Sequence, residues 1–169
     1  MRKYSDLIIN YEGLKNGKHE YSWEIEEDFF GIAEELEFSN LKIKVNAILQ
    51  KEENMMFFEF NHAGTVDFSC DLCLEELTFN VEGENKLIIH FGEEETGDGD
   101  TMITISRSEY EFDVSSFLHD YIMISLPWKR ECAMVGKECN PEMIQKMEEF
   151  QNKPTNESDP RWDTLKKLL

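Results

Sequence analysis

Residues 66–81 read Val-Asp-Phe-Ser-Cys-Asp-Leu-Cys-Leu-Glu-Glu-Leu-Thr-Phe-Asn-Val, and this stretch decides the fold class. Apolar side chains take every second position up to Cys70 and again beyond Cys73. A period of two is typical of strands with one buried face, and a short turn between two such strands favours an antiparallel pair. The stretch therefore predicts two neighbouring strands that are joined at a Cys-x-x-Cys turn.

The same alternation extends outward in both directions from this hairpin. Further strands are expected at residues 7–9, 41–47, 55–60, 87–91 and 102–105, with a turn region at 10–18. Most of these segments are separated by short polar turns, which favours an antiparallel meander over a parallel βαβ sheet.

Three segments show helical periodicity instead. The first covers residues 28–36. The second begins near Asp113, which is placed to cap it, and ends before Pro127. The third opens at Asn140-Pro141, in the order of a capping residue followed by a proline at the first helical position. We therefore predict an α+β fold: an antiparallel β meander or partly open barrel with a few short helices, and a helical C-terminal half.

The charge of the chain limits its partners. Seventeen Lys and Arg stand against 36 Asp and Glu in 169 residues, which gives a net charge of −19. Because nucleic-acid binding needs a basic footprint, the field of the whole molecule repels phosphate, and an anionic membrane surface is disfavoured for the same reason. Basic proteins fit this charge. With no export signal and no long apolar run, we expect a cytoplasmic protein whose thiols stay reduced.

All four cysteines fall into two close pairs, Cys70 with Cys73 and Cys132 with Cys139. Four thiolates satisfy a tetrahedral zinc ion and leave no position for water, so the sequence predicts a structural Zn²⁺ site that tethers the sheet to the C-terminal helices. The alternatives are thiols without metal, or a thiol-dependent redox enzyme using Cys70 or Cys73. A redox pair of the thioredoxin type opens a helix in a βαβ unit, whereas this pair lies within a meander.

The C-terminal segment opens with the same helix-start device, Asp159-Pro160. We expect residues 1–150 to form one α+β domain, and residues 151–169 to be a polar linker with a short helix. A helix of about nine residues is marginal by itself, so it needs a surface on which to dock. We expect it to bind a partner through five residues: Asp159, Pro160, Arg161, Trp162 and Leu165.

The order of these motifs resembles the YceD family, which is also called domain of unknown function 177 or large ribosomal RNA subunit accumulation protein. The resemblance runs from about the first strand to the end of the chain. It rests on Cys70-x-x-Cys73-Leu74, Leu126-Pro127, Cys132, Cys139-Asn140-Pro141 and Asp159-Pro160-Arg161-Trp162. It implies a bacterial cytosolic accessory protein for the accumulation of 23S ribosomal RNA, with no established enzymatic activity. Many members have a second cysteine pair as close as the first, unlike Cys132 and Cys139 here.

Two mechanisms follow from the resemblance and the charge. Ribosomal proteins are strongly basic, so an acidic protein in ribosome biogenesis is expected to act through contacts with a basic ribosomal or ribosome-assembly protein. The alternative is direct RNA binding by a local patch: Lys129, Arg130 and Lys137 flank the second cysteine pair, and contacts are expected from Trp128, Lys129 and Arg130.

Overall fold

A computed structural model describes residues 4–31, 36–92 and 102–151, with side chains up to residue 150. Seven strands occur in this part of the chain: β1 (Ile8–Asn10), β2 (Gly17–Glu26), β3 (Phe38–Lys51), β4 (Met55–Ser69), β5 (Glu76–Gly92), β6 (Met102–Ser106) and β7 (Glu111–Asp113). The α-helices of this part are α1 (Ser115–Ser125) and α2 (Pro141–Gln151), and 3-10 turns lie at Ser5–Leu7, Glu27–Phe29 and Cys132–Val135.

The strands form an open five-stranded sheet in the order β2-β3-β4-β5-β6 and a small sheet of β1 and β7. The antiparallel meander predicted from the alternating residues is confirmed for β3 to β5, and β2 extends it on the other side of β3. Strands β4 and β5 are longer than expected, because each joins two segments that the sequence suggested as separate strands.

Gly64 lies at the middle of β4, opposite Ile43 of β3. A side chain at Gly64 would overlap the carbonyl oxygen of Lys42 and lie 2.7 Å from the Cα of Ile43. The glycine therefore lets the two backbones approach next to the register shift between Ser39 and Lys42.

The expectation of a wholly antiparallel sheet is wrong at β6, which pairs in parallel with the end of β5. The partly open barrel is also not observed in the described part of the chain, whose sheets are open. Parallel pairing depends on the path of the connecting chain and leaves no mark on the alternation within either strand. The pairing of β1 with β7, which joins Ile9 to Phe112, was likewise not predicted.

No strand is predicted at β2, of which only Gly17 and Lys18 fall in the expected turn region. Its signal is nevertheless present, since Tyr21, Trp23 and Ile25 alternate with exposed polar residues. The helix expected at 28–36 begins only as the 3-10 turn Glu27–Phe29, and residues 32–35 lie outside the described part. The C-terminal half of the chain is helical only in part, since the end of β5 and the whole of β6 and β7 also lie there.

Helix α1 covers the inner face of the sheet. Leu118, Tyr121 and Ile122 are buried there, and the ring of Tyr121 lies 5.7 Å from that of Phe60. The predicted start of this helix is confirmed, because the Asp113 carboxylate accepts a hydrogen bond from the backbone N–H of Ser115 at 2.8 Å.

The C-terminal end of α1 is fixed by a polar contact inside the core. His62 of β4 is 3% exposed, and its Nε2 lies 3.0 Å from the Ser125 hydroxyl. Because that hydroxyl donates its hydrogen to the carbonyl of Ile122, His62 Nε2 is the donor to Ser125. Burial lowers the pKa of His62 and so favours its neutral form, in which Nε2 carries the hydrogen that is donated to Ser125.

Candidate metal centre

The first cysteine pair lies on the turn between β4 and β5. Cys70 follows the last residue of β4, and its carbonyl accepts a hydrogen bond from the N–H of Leu74 at 3.0 Å. Leu74 has φ of +63°, an unfavourable conformation for a leucine, and its side chain is 67% exposed. The left-handed residue lets the chain reverse directly after Cys73 and enter β5.

The second pair lies on a turn of similar design. Cys132 begins the 3-10 turn Cys132–Val135, which ends at Gly136 with φ of +71°. The Cys132 carbonyl accepts a hydrogen bond from Lys137 N–H at 2.9 Å, and Cys139 follows two residues later. The capping role expected for Asn140 at the start of α2 is confirmed, since its side-chain oxygen accepts from Glu142 N–H at 3.0 Å.

Asp71 joins the two turns. Its backbone N–H donates to the carbonyl of Arg130 at 2.7 Å, and its carboxylate accepts from the Arg130 N–H at 2.8 Å. The Arg130 guanidinium lies 4.8 Å above the ring of Phe68 and pairs with Glu37 at 3.2 Å. This connection was not predicted, because no local pattern links Asp71 to a residue 59 positions away.

The sulfur atoms of Cys70, Cys73, Cys132 and Cys139 all lie within 4.8 Å of one another. The Cys73–Cys132 sulfur distance is 3.4 Å and the Cys70–Cys139 distance is 3.9 Å. A disulfide would bring two sulfurs to about 2 Å. Four sulfurs at about 2.3 Å from a tetrahedral ion would be about 3.8 Å apart, so the donor set fits a metal ion.

The surroundings of the sulfurs influence their protonation in opposite directions. Burial raises the pKa of Cys70, but N–H groups of Cys73, Leu72 and Cys132 point at its sulfur and bring the pKa down to about 6. Burial raises the pKa of both Cys132 and Cys139. A cation held among the four sulfurs favours the thiolate form of each cysteine. Its positive charge offsets the free-energy cost of burying several negatively charged thiolates.

The three residues suggested for RNA contact differ in their availability. Trp128 is 91% exposed. Lys129 forms an ion pair with Glu131 at 3.1 Å, and Arg130 is engaged with Glu37 and Asp71 as part of the joined turns. In the described part of the chain, both cations are therefore already paired with carboxylates, whereas the Trp128 indole is exposed.

The five residues expected to bind a partner lie outside the described residues: Asp159, Pro160, Arg161, Trp162 and Leu165. Among the residues that are described, no helix has the length and apolar character needed to cross a membrane.

Comparison with known proteins identifies a family for the chain. No curated protein and no solved structure matches it significantly. The sequence model of the family described as large ribosomal RNA subunit accumulation protein YceD matches residues 58–169. The match begins within β4, later than the first strand from which the resemblance was expected to run, and it includes all four cysteines. Because it covers more than half of the chain, the chain belongs to the YceD family.

Proposed function

We propose that this protein is a non-enzymatic accessory factor for the accumulation of large-subunit (23S) ribosomal RNA, acting in the cytoplasm of a bacterium through contacts with proteins. The family match over residues 58–169 carries this proposal, since the family is described by that role. A redox enzyme fits less well, because Cys70 and Cys73 belong to a group of four cysteines and do not open a helix.

We further propose that the four cysteines hold a structural zinc ion. Cys70, Cys73 and Cys132 are buried and Cys139 is partly buried, so the sulfurs lie away from bulk water. Four thiolates complete a tetrahedral shell and leave no position for a substrate or water. The ion would join the β4–β5 turn to the chain that leads into α2.

The charges favour a protein as the direct partner. The net charge of −19 repels RNA, and two cations close in sequence to Cys132, Lys129 and Arg130, are already paired with carboxylates. The 91% exposed Trp128 favours the second candidate function, RNA binding by base stacking. A basic ribosomal or ribosome-assembly protein is the better match to the charge of the whole chain.

A pull-down from bacterial extract tests the proposed function. We expect the protein to retain basic ribosomal proteins at low salt, and to retain them equally after ribonuclease treatment, because the contacts do not pass through RNA. Mass spectrometry of the retained proteins is the measurement. Loss of every ribosomal protein on ribonuclease treatment, with loss of binding in Trp128→Ala, would support RNA binding instead.

The C-terminal segment is the proposed partner-binding element, because Trp162 and Leu165 share one face of its expected helix. We expect truncation after Asn152, or Trp162→Ala with Leu165→Ala in the full chain, to leave the melting temperature within about 2 °C while abolishing rescue of 23S rRNA accumulation. Thr164→Ala, from the opposite face of the same segment, is the control and should rescue fully. A large fall in melting temperature in either variant would show that this segment belongs to the folded core.

A further inference from the structure

Within the described residues, strand β5 has a long edge that no other strand covers. It is 17 residues long, and β6 pairs only with its last five residues, from Ile88 to Gly92. Residues 80–87 pair with β4 along one edge. Along their other edge, the described part of the chain shows no strand and no backbone hydrogen bond. Eight extended residues span about 26 Å. An unpaired edge of this length is a template for the addition of another strand.

The outer face of this edge is acidic. Glu82 and Glu84 are exposed there, and neither has an ion-pair partner among the described residues. They border an open cavity of about 520 Å³, together with the amides of Asn46 and Asn61. The single cation on the same face of this segment, Lys86, is already paired with Glu59 at 3.0 Å. A strand added here would therefore place its outward side chains beside uncompensated carboxylates, at cross-strand distances of about 5 Å.

On the inner side of the same edge, the ring of His62 fills the space beside Gly83, since an added Cβ there would lie 2.5 Å from Cε1 of that ring. The His62 Nδ1 has no hydrogen-bond partner in the described part of the chain. On this inner face, β5 contributes the buried side chains of Val81 and Leu87. Apolar side chains on the inner face of an added strand would extend this apolar face.

The opposite edge of the sheet, β2, is partly used by the N-terminal residues. The N-terminal residues approach it, since the Trp23 indole N–H donates to the Asp6 carbonyl at 3.2 Å. The Tyr4 hydroxyl accepts a hydrogen bond from the backbone N–H of Glu26 at 3.4 Å. Because the N-terminal residues already use part of this edge, β5 is the more available one.

We propose that residues 80–87 of β5 bind an extended, lysine- or arginine-rich segment of a partner protein as an added strand. Main-chain hydrogen bonds to β5 supply part of the affinity, and cations next to Glu82 and Glu84 select the partner. A peptide with basic side chains on one face and apolar ones on the other fits both sides of the edge. This inference rests on the proposed function for its class of partner and adds a second contact site, on the folded domain, to the one proposed for the C-terminal segment.

A labelled eight-residue peptide of alternating lysine and valine is the probe, with binding measured by fluorescence anisotropy. Glu82→Lys with Glu84→Lys should weaken binding at least tenfold. Glu20→Lys with Glu24→Lys, the same charge change on exposed positions of β2, should weaken it twofold or less. Both double variants should show the far-ultraviolet circular dichroism and melting temperature of the unchanged protein, because all four side chains are exposed.

Two further measurements separate strand addition from simple charge attraction. The same peptide with every second backbone nitrogen methylated keeps its charge but loses donors, so its binding should fall at least tenfold. Hydrogen exchange of the amides at residues 80–87 should slow when the unmodified peptide is bound. Equal binding of the methylated peptide, equal losses in the β2 and β5 variants, or tighter binding of a ribonucleotide oligomer to the same edge would overturn the proposal.

The pull-down experiment distinguishes a failure here from a failure of the proposed function. If ribosomal proteins are retained equally by the unchanged protein and by Glu82→Lys with Glu84→Lys, the partner binds elsewhere. In that case the strand-addition proposal is wrong and the proposed function stands. If the variant loses them and the β2 control keeps them, both are supported.

Discussion

Cys70→Ser is expected to reduce the zinc content of the purified protein from about one ion per chain to less than about 0.1. It is also expected to lower the free energy of unfolding by at least about 3 kcal/mol, because the binding energy of a structural metal is folding energy. Loss of the ion would leave three sulfurs crowded within 4.8 Å of one another in a largely buried space. Metal analysis and urea unfolding of protein purified without chelator are the measurements.

Met134→Ser is the matched control for this change. Met134 lies between the two cysteines of the second pair but is 59% exposed, so the substitution should leave zinc content and stability unchanged within about 0.5 kcal/mol. A strong chelator should destabilise the unchanged protein by as much as Cys70→Ser does, and should have no effect on Cys70→Ser itself. If Cys70→Ser unfolds at the same urea concentration as the unchanged protein, the cysteines do not hold a structural metal.

Gly64→Ala is expected to lower the free energy of unfolding by about 3 kcal/mol or more. The new methyl group would overlap the Lys42 carbonyl oxygen and lie 2.7 Å from the Cα of Ile43. Both obstacles are backbone atoms, so β3 and β4 must separate at the centre of the sheet, where a side-chain rotation gives no relief. Urea unfolding at 25 °C measures the change.

Gly13→Ala is the control for the loss of a glycine. An added Cβ there has as its nearest neighbour the side-chain oxygen of Asn10 at 4.0 Å, and the residue has no positive φ. Gly13→Ala should therefore change the free energy of unfolding by less than about 1 kcal/mol. The change should be stabilising, because alanine makes the unfolded chain less flexible than glycine does. A loss below 1 kcal/mol for Gly64→Ala would mean that β3 and β4 are not as close as described.

Features with a local signal were predicted well. The alternation at 41–47 and 66–81 identified the core of β3, the end of β4 and the start of β5, because one buried face imposes a period of two wherever a strand forms. The starts of α1 and α2 were visible in Asp113 and Asn140, since capping uses side chains within a few residues of the helix. The two cysteine pairs were recognisable for the same reason, as their spacing within each turn is local.

Features that depend on distant partners were missed. The strand expected at residues 7–9 is present as β1, but its partner β7 was not predicted, because β7 has only three residues and the two strands pair across about a hundred residues. The β5 edge that is unpaired among the described residues could not be seen in the sequence of β5, because it depends on how few residues β6 covers and on the parallel direction of β6. Asp71 and Arg130, which hold the two cysteine turns together, look like ordinary surface charges in the sequence.

By itself, the sequence determined the strand-forming segments, the helix starts, the strong negative charge, the four cysteine donors and the resemblance to the YceD family. Each of these follows from side-chain chemistry that acts within a few residues, or from composition. Only the tertiary structure decided that the two cysteine pairs lie within 4.8 Å of each other, that Gly64 lies against β3, and that Glu82 and Glu84 border a free strand edge. All three features depend on how segments that are distant in the sequence pack together, and no local pattern encodes that outcome.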